Sequence, residues 1–326
     1  MLIVPVVLGA ILIAFFLTRI LPGDPIEKIT GGYYTVEAKA EMKRKIGLDR
    51  PIHEQFVVYI YGLLNGNMGV SFTTAQPVTK DLTERLPATL ELITYALGGA
   101  TLVALPLGVL SAVHRGKLID QIGLIISVFG ISLPLFWLAI MLTYLFFYQL
   151  GWLPGPMGRL PLSLEPAPRV TGFFTVDALL DGNFHVFREA LRGLALPALT
   201  LGITIMAPIT RMARASMVDA LESDYVRFAR AMGMPEWLVV LRYALKNTML
   251  PVVVTIAGIY GYAIGGEVII EYIFAWPGIG LYAFNAILGS DFPAVQGFIV
   301  LVTGTYILLY LLVDIAIALL DPRVVV

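Results

Sequence analysis

The sequence predicts an all-α membrane protein with six transmembrane helices. Two observations carry that expectation. The chain of 326 residues is 58% hydrophobic and only 14% charged, with a mean hydropathy of +0.83. Soluble domains sit nearer half apolar and a quarter charged. The apolar residues also gather into runs long enough to cross a bilayer core, which takes about 20 residues per helix.

The first run, Met1 to Leu21, ends at the breaker PGDP. Its apolar core is too long for a secretory signal, and no small-residue cleavage site follows. Ala88 to Val113 forms the second run. Leu118 to Leu150 is the third, long enough to tilt or to include an interfacial turn. The remaining three are Leu194 to Thr210, Thr248 to Ile270 and Val295 to Leu320. The corresponding segmentation is a first helix over 1–21, an external segment over 22–87 and a five-helix core over 88–326. Within that core lie an external loop, 151–193, and a cytoplasmic loop, 211–247.

Basic residues set the orientation, because short cytoplasmic loops are enriched in Lys and Arg. HRGK supplies Arg115 and Lys117, and the loop after the fourth span carries Arg211, Arg214, Arg227, Arg230, Arg242 and Lys246. Both termini are therefore expected in the cytoplasm. The first external segment contains a helix-like stretch, TVEAKAEMKRKIGL, then RPIHEQFVVYIYGLL, whose aromatic residues suit a membrane interface.

Several chemistries are excluded. Net charge is −1, so bulk electrostatics gives no reason to expect nucleic acid. Cysteine is absent, which removes disulfides and thiolate sites. His53, His114 and His185 lack metal-ligand spacing. No Walker P-loop, GxSxG or HExxH motif occurs, so any ATP must be handled by another chain.

Between two apolar runs stands a charged stretch, DYVRFARAMGMPEWLVVLRYALKN, from Asp224 to Asn247. Tyr225, Phe228, Ala229 and Met232 recur at helical spacing and predict one apolar face, with Arg227 and Arg230 off it. Gly233 is suited to a left-handed residue that stops the helix. Pro235 then fits the first turn of a second helix, with Glu236 at its positive end. Trp237, Leu238, Leu241 and Leu245 are expected to form the second helix's apolar stripe. Such a pair suits either a lipid surface or a partner's groove, and Ala229, Ala231 and Gly233 would permit close approach.

Polar residues within apolar runs are functional candidates. Glu267 and Glu271 fall near the outer end of the fifth span, where Glu267 is a candidate for the passage of cationic groups. Asp314, in the sixth, is expected to pair with a loop arginine such as Arg211. Phe136 and Trp137 follow the ISLPLFW bend, either in the core or on a pathway. Gly261 and Gly265 form a GxxxG seam.

The stretch from Asp224 resembles the EAA loop of ABC-importer permeases, and the whole chain resembles their dipeptide/oligopeptide branch. The resemblance rests on ordered pieces from end to end. They are LPGDP, IGLDRP, RLPATLEL, ISLPLFW, TGFFTVDALLDGN, DYVRFARAMG, NTMLPVV, FAWPGIG, DFPAVQG and LLVDIAIALLDPR. Arg227 stands where the family's eponymous glutamate would align, as is usual in the peptide branch. Pro235 replaces a small polar residue, and Glu267 a small or neutral one.

The resemblance implies a type I importer permease fold in a prokaryotic inner membrane, paired with a second, similar permease. Two cytoplasmic ATPases would hold ATP and Mg, so this chain would bind no cofactor and catalyse no covalent step. An extracytoplasmic binding protein would deliver a peptide. Coupling to the ATPases would fall to Asp224, Tyr225, Arg227, Phe228, Ala229, Arg230, Ala231, Gly233 and Glu236. Nickel chelates and glutathione are alternative cargoes within the broad family. A more distant alternative, an ion-coupled secondary transporter, would need an ion site near mid-span.

Overall fold

The computed structural model describes residues 3–20, 41, 43, 44, 47 and 49–320. Among them the chain is helical, with no strand and one isolated antiparallel bridge, Val70 to Pro77. LPGDP and most of TVEAKAEMKRKIGL lie outside the described residues.

The chain separates into two units, 1–89 with 277–307 and 90–276 with 308–326. Among the described residues four helices are long and apolar enough to cross a membrane: Val78–Val113, Phe184–Glu222, Glu236–Gly266 and Phe292–Ile315.

The first unit begins with α1 (Ile3–Ile20) and α2 (Ile52–Leu64). It continues into α3 (Val78–Val113), whose first turns belong to this unit. Later come α12 (Ile279–Leu288) and the start of α13 (Phe292–Leu320). Here DFPAVQG has a physical account. Asp291 is fully buried and accepts hydrogen bonds from Ser71 Oγ (2.6 Å) and from the Thr73 N–H (2.9 Å). Gln296 Nε2 donates to Thr18 Oγ1 at 2.7 Å. Thr89, from RLPATLEL, accepts the Ile279 N–H at 2.9 Å, satisfying a donor at the start of α12.

The second unit is built on α7 (Phe184–Glu222), capped at its start by Asn183, whose Oδ1 accepts the Val186 N–H at 3.1 Å. Around it lie the rest of α3, then α4 (Leu118–Ser132) and α5 (Leu135–Thr143), which runs into a π-helical turn, Tyr144–Gln149. The run expected as one third span is thus broken in two. Proline pushes the preceding residue out of helical geometry, and Leu133 has φ −87° and ψ 130° before Pro134. The remaining helices are α6 (Phe174–Leu180), α8 (Asp224–Ala231), α9 (Glu236–Leu238), α10 (Leu245–Gly266) and α11 (Val268–Ile273).

Lipid tails are as apolar as leucine, so helices gain little by burying leucine and must pack by close approach. Leu97, Ala100 and Ala104 of α3 meet Ile209 and Ala213 of α7 and Val252 of α10. Gly108 makes the α3–α7 approach possible, because a Cβ there would lie 2.7 Å from the Thr210 carbonyl oxygen. Backbone cannot yield as a flexible side chain does. Gly108→Val is expected to cost roughly 1–3 kcal/mol and to lower the amount of folded protein recovered from membranes. Unchanged yield and thermal stability would show that α3 can move aside.

One expected pair does not form. Asp314 is exposed on α13 and makes no ion pair with Arg211. Arg214, three residues further along α7, instead grips Asp120 in the first turn of α4, Nε to Oδ1 at 2.6 Å and the second nitrogen to Oδ2 at 2.8 Å. Asp120 also accepts the Gly116 N–H at 2.9 Å, so HRGK and α7 are held together.

Candidate functional site

The stretch after α7 folds as a bent helical knob. Helix α8 ends in a double hydrogen bond: the Gly233 N–H reaches the Arg230 carbonyl at 3.0 Å, and the Met234 N–H reaches the Ala229 carbonyl at 3.3 Å. That pattern is a Schellman stop and requires a left-handed residue, which Gly233 provides at φ +74°. Pro235 caps the next helix with φ −64°. This second helix does not end as a short unit. It passes from Glu236 through a π-helical turn, Val239–Ala244, straight into α10. Knob and span are one continuous rod.

Arg230 and Glu236 close the bend, with nitrogen and oxygen 2.6 Å apart. This hydrogen-bonded contact holds the Glu236 carboxyl below its ordinary range and raises the Arg230 guanidinium above its own. Both side chains are substantially exposed, so the clamp orients more than it stabilises. Asp224 and Arg227 make a looser pair at 3.4 Å.

The apolar residues divide differently from the expected faces. Val226 and Ala229 of α8 are buried against Met217 and Ala220 of α7, with Val239, Ala244 and, from α3, Val109 and Ala112. Tyr225, Phe228, Met232, Trp237 and Leu241 point away and are 40–66% exposed. Ala229 therefore brings α8 close to its own chain, while Ala231 and Gly233 are exposed at the bend. The inner face anchors the knob and the outer face is left open.

A second constellation, missed in the sequence, organises the loop 151–193. Arg159 is 7% exposed and Glu91 1% exposed, and they pair at 2.6 Å. The same Arg159 nitrogen donates to the Gly172 carbonyl at 2.6 Å, and the guanidinium carbon stands 3.5 Å from the centre of the Phe174 ring. Glu91 Oε1 accepts from the Thr175 N–H at 2.9 Å and from Thr175 Oγ1 at 2.7 Å. Burial lowers the Arg159 proton affinity, and the Glu91 carboxylate opposes that shift. Asp177 completes the fold of TGFFTVDALLDGN. Burial alone would raise its carboxyl, but donors from Thr171 and Gly172 outweigh this and hold it below the ordinary carboxylate range. An acid in RLPATLEL was the available signal for Glu91, yet its partner is 68 residues away.

Other candidates are dispersed. Glu267 is 7% exposed at the junction of α10 and α11, with Oε2 lacking a hydrogen-bond partner, and Glu271 is fully buried. Phe136 and Trp137 are roughly half exposed on α5, outside the chain's own core. Gly261 is buried and Gly265 partly so on α10. Among the described residues no cluster of acids and histidines could hold a metal ion.

The family described as binding-protein-dependent transport system inner membrane component matches residues 104–326, and the N-terminal part of the same membrane component matches residues 1–93. The chain belongs to this family. It is a transport permease of the ABC importer class. Among its relatives is the "Probable D,D-dipeptide transport system permease protein DdpB" of Escherichia coli strain K12, 41% identical over 98% of this chain and 94% of the relative. The di/tripeptide transport system permease protein DppB of Pseudomonas aeruginosa is 40% identical over 99% and 96%. The glutathione transport system permease protein GsiC of Salmonella typhi is 33% identical over 98% and 95%. In this permease the knob and the loop 151–193 lie within the matched regions, and α3 runs from one matched region into the other.

Proposed function

We propose that this permease carries peptides inward as one of two membrane subunits of an ATP-driven importer. An extracytoplasmic protein delivers the peptide, and two cytoplasmic ATPases drive the change of access. The observation that carries the reading is the bent knob: it is anchored on its inner face, apolar and open on its outer one, and continuous with a span. Asp224, Tyr225, Arg227, Phe228, Arg230, Ala231, Gly233 and Glu236 form the part that meets the ATPase. A rod with one end in that contact would transmit tilt directly into the bilayer. Peptide cargo is preferred to glutathione because the dipeptide relatives are the more similar, at 35–41% against 33% identity.

The reading includes six spans, both termini in the cytoplasm, and outer segments 22–87 and 151–193 as the surface that meets the binding protein. Phe136 and Trp137 lie along the pathway, with Glu267 and Glu271 at its outer end, and Gly261 and Gly265 supply a packing seam. Single cysteines introduced at positions 47, 181 and 233 test the orientation, since the chain has no native cysteine. An impermeant thiol reagent added to intact cells should label 47 and 181 only. Labelling at 233 would reverse the topology.

Gentle detergent extraction followed by mass spectrometry tests the assembly. A second permease and at least one ATPase should copurify. A transport-active complex made of this chain alone would rule the proposal out.

A further inference from the structure

The first unit contains a cavity of about 630 Å³. Its depth in the bilayer follows from contacts within that unit. Phe15 lies five residues before the end of α1, or about 7.5 Å along the axis. Its ring meets Phe56 of α2 edge-on at 5.1 Å and Tyr59 at 5.7 Å. Thr18, closer still to that end, holds Gln296 in the first turns of α13. The ends of two apolar helices and α2 therefore share one level.

Helix α2 cannot span, having 13 residues, none of them buried. It exposes Val57, Val58, Tyr61 and Leu64 on one side. An amphipathic helix beside the end of a membrane helix lies in the headgroup region. Val58 and Tyr61 also line the cavity, so the exposed stripe and the cavity wall are continuous.

Among the described residues that line it, Arg44 and Arg50 carry charge and none is a carboxylate. Neither arginine makes an ion pair among the described residues, and Arg50 lies over Gly47, another lining residue. Two guanidinium groups and an apolar wall in one cavity match a phosphate joined to acyl chains. We propose that this cavity binds the headgroup phosphate of an anionic phospholipid, with its chains running past Val58 and Tyr61. A peptide carboxylate would satisfy the arginines but would leave the apolar stripe uncovered.

The test uses the full-length permease, purified in detergent and exposed to phosphatidylglycerol, phosphatidylcholine, inorganic phosphate or a dipeptide. Native mass spectrometry reads retained lipid. The parent should keep phosphatidylglycerol in preference to phosphatidylcholine, and neither phosphate nor dipeptide should displace it. Arg44→Gln with Arg50→Gln should lower retention at least tenfold, and Val58→Glu, on the apolar wall, should lower it as well. Lys117→Gln, in the opposite loop, should change nothing. Equal retention by the double variant, equal retention of phosphatidylcholine, displacement by phosphate or dipeptide, or a matching loss in Lys117→Gln would each overturn the proposal.

Discussion

Gly233→Val is expected to leave the permease in the membrane and lower ATPase copurification at least tenfold, while Gly233→Asn retains most of it. The left-handed backbone at φ +74° disfavours a side chain by about 1–2 kcal/mol, most of all a branched one. A Cβ at this position meets nothing within 4 Å, so the cost is conformational rather than a clash inside the chain. Relief comes by losing the Gly233–Arg230 and Met234–Ala229 hydrogen bonds. That would swing Trp237 and Leu241 away from Tyr225 and Phe228. A surface matched to a rigid partner suffers from such a change, and 1.4 kcal/mol is already tenfold in association. Asparagine tolerates the left-handed region and separates backbone geometry from side-chain bulk. If valine and asparagine both leave ATPase association and coupled hydrolysis normal, the knob does not meet a fixed surface.

The second large effect is expected at Arg159. Arg159→Met should destabilise the permease by roughly 3–5 kcal/mol, because it strands the Glu91 carboxylate in the interior. Thermal unfolding and limited proteolysis within 151–193 would register the loss. Adding Glu91→Gln should recover at least half of it, since the second change removes the stranded charge. Arg159→Lys should fall short of the parent, because one ammonium cannot reproduce the contacts to Glu91, Gly172 and the Phe174 face. A double variant as unstable as Arg159→Met alone would mean that the guanidinium's packing, not its pairing, holds the loop.

Those two regions also mark what was and was not legible in the sequence. The Gly233 stop, the Pro235 start and the bend at Leu133 and Pro134 could be read directly, because each follows from the backbone freedom of one residue. The apolar faces of the knob could not. Val226 and Ala229 satisfy helical spacing as well as Tyr225, Phe228 and Met232 do, and only the position of α7 decides which set is inside. Long-range ion pairs are invisible for a similar reason. Glu91 and Arg159, or Asp120 and Arg214, carry no local spacing that joins them. The place of Asp314 in the sixth run suggests a loop arginine such as Arg211 as its partner, whereas the bidentate pair that forms joins Arg214, one turn away, to Asp120. The ordered pieces that mark the family also gain physical meaning: Asp291 and Gln296 of DFPAVQG, and Thr89 and Glu91 of RLPATLEL, are tertiary hydrogen-bonding groups.

The central claim is ATP-driven, binding-protein-dependent import of peptides through this permease, and peptide uptake into reconstituted vesicles tests it most directly. The copurified complex is placed in vesicles with ATP on the side of Gly233 and a peptide-loaded binding protein on the other. Labelled dipeptide should accumulate only when both are present, and imposing a proton or sodium gradient should not replace either. Accumulation driven by such a gradient through this chain alone, without ATP or the binding protein, would contradict the account and make the protein a secondary transporter.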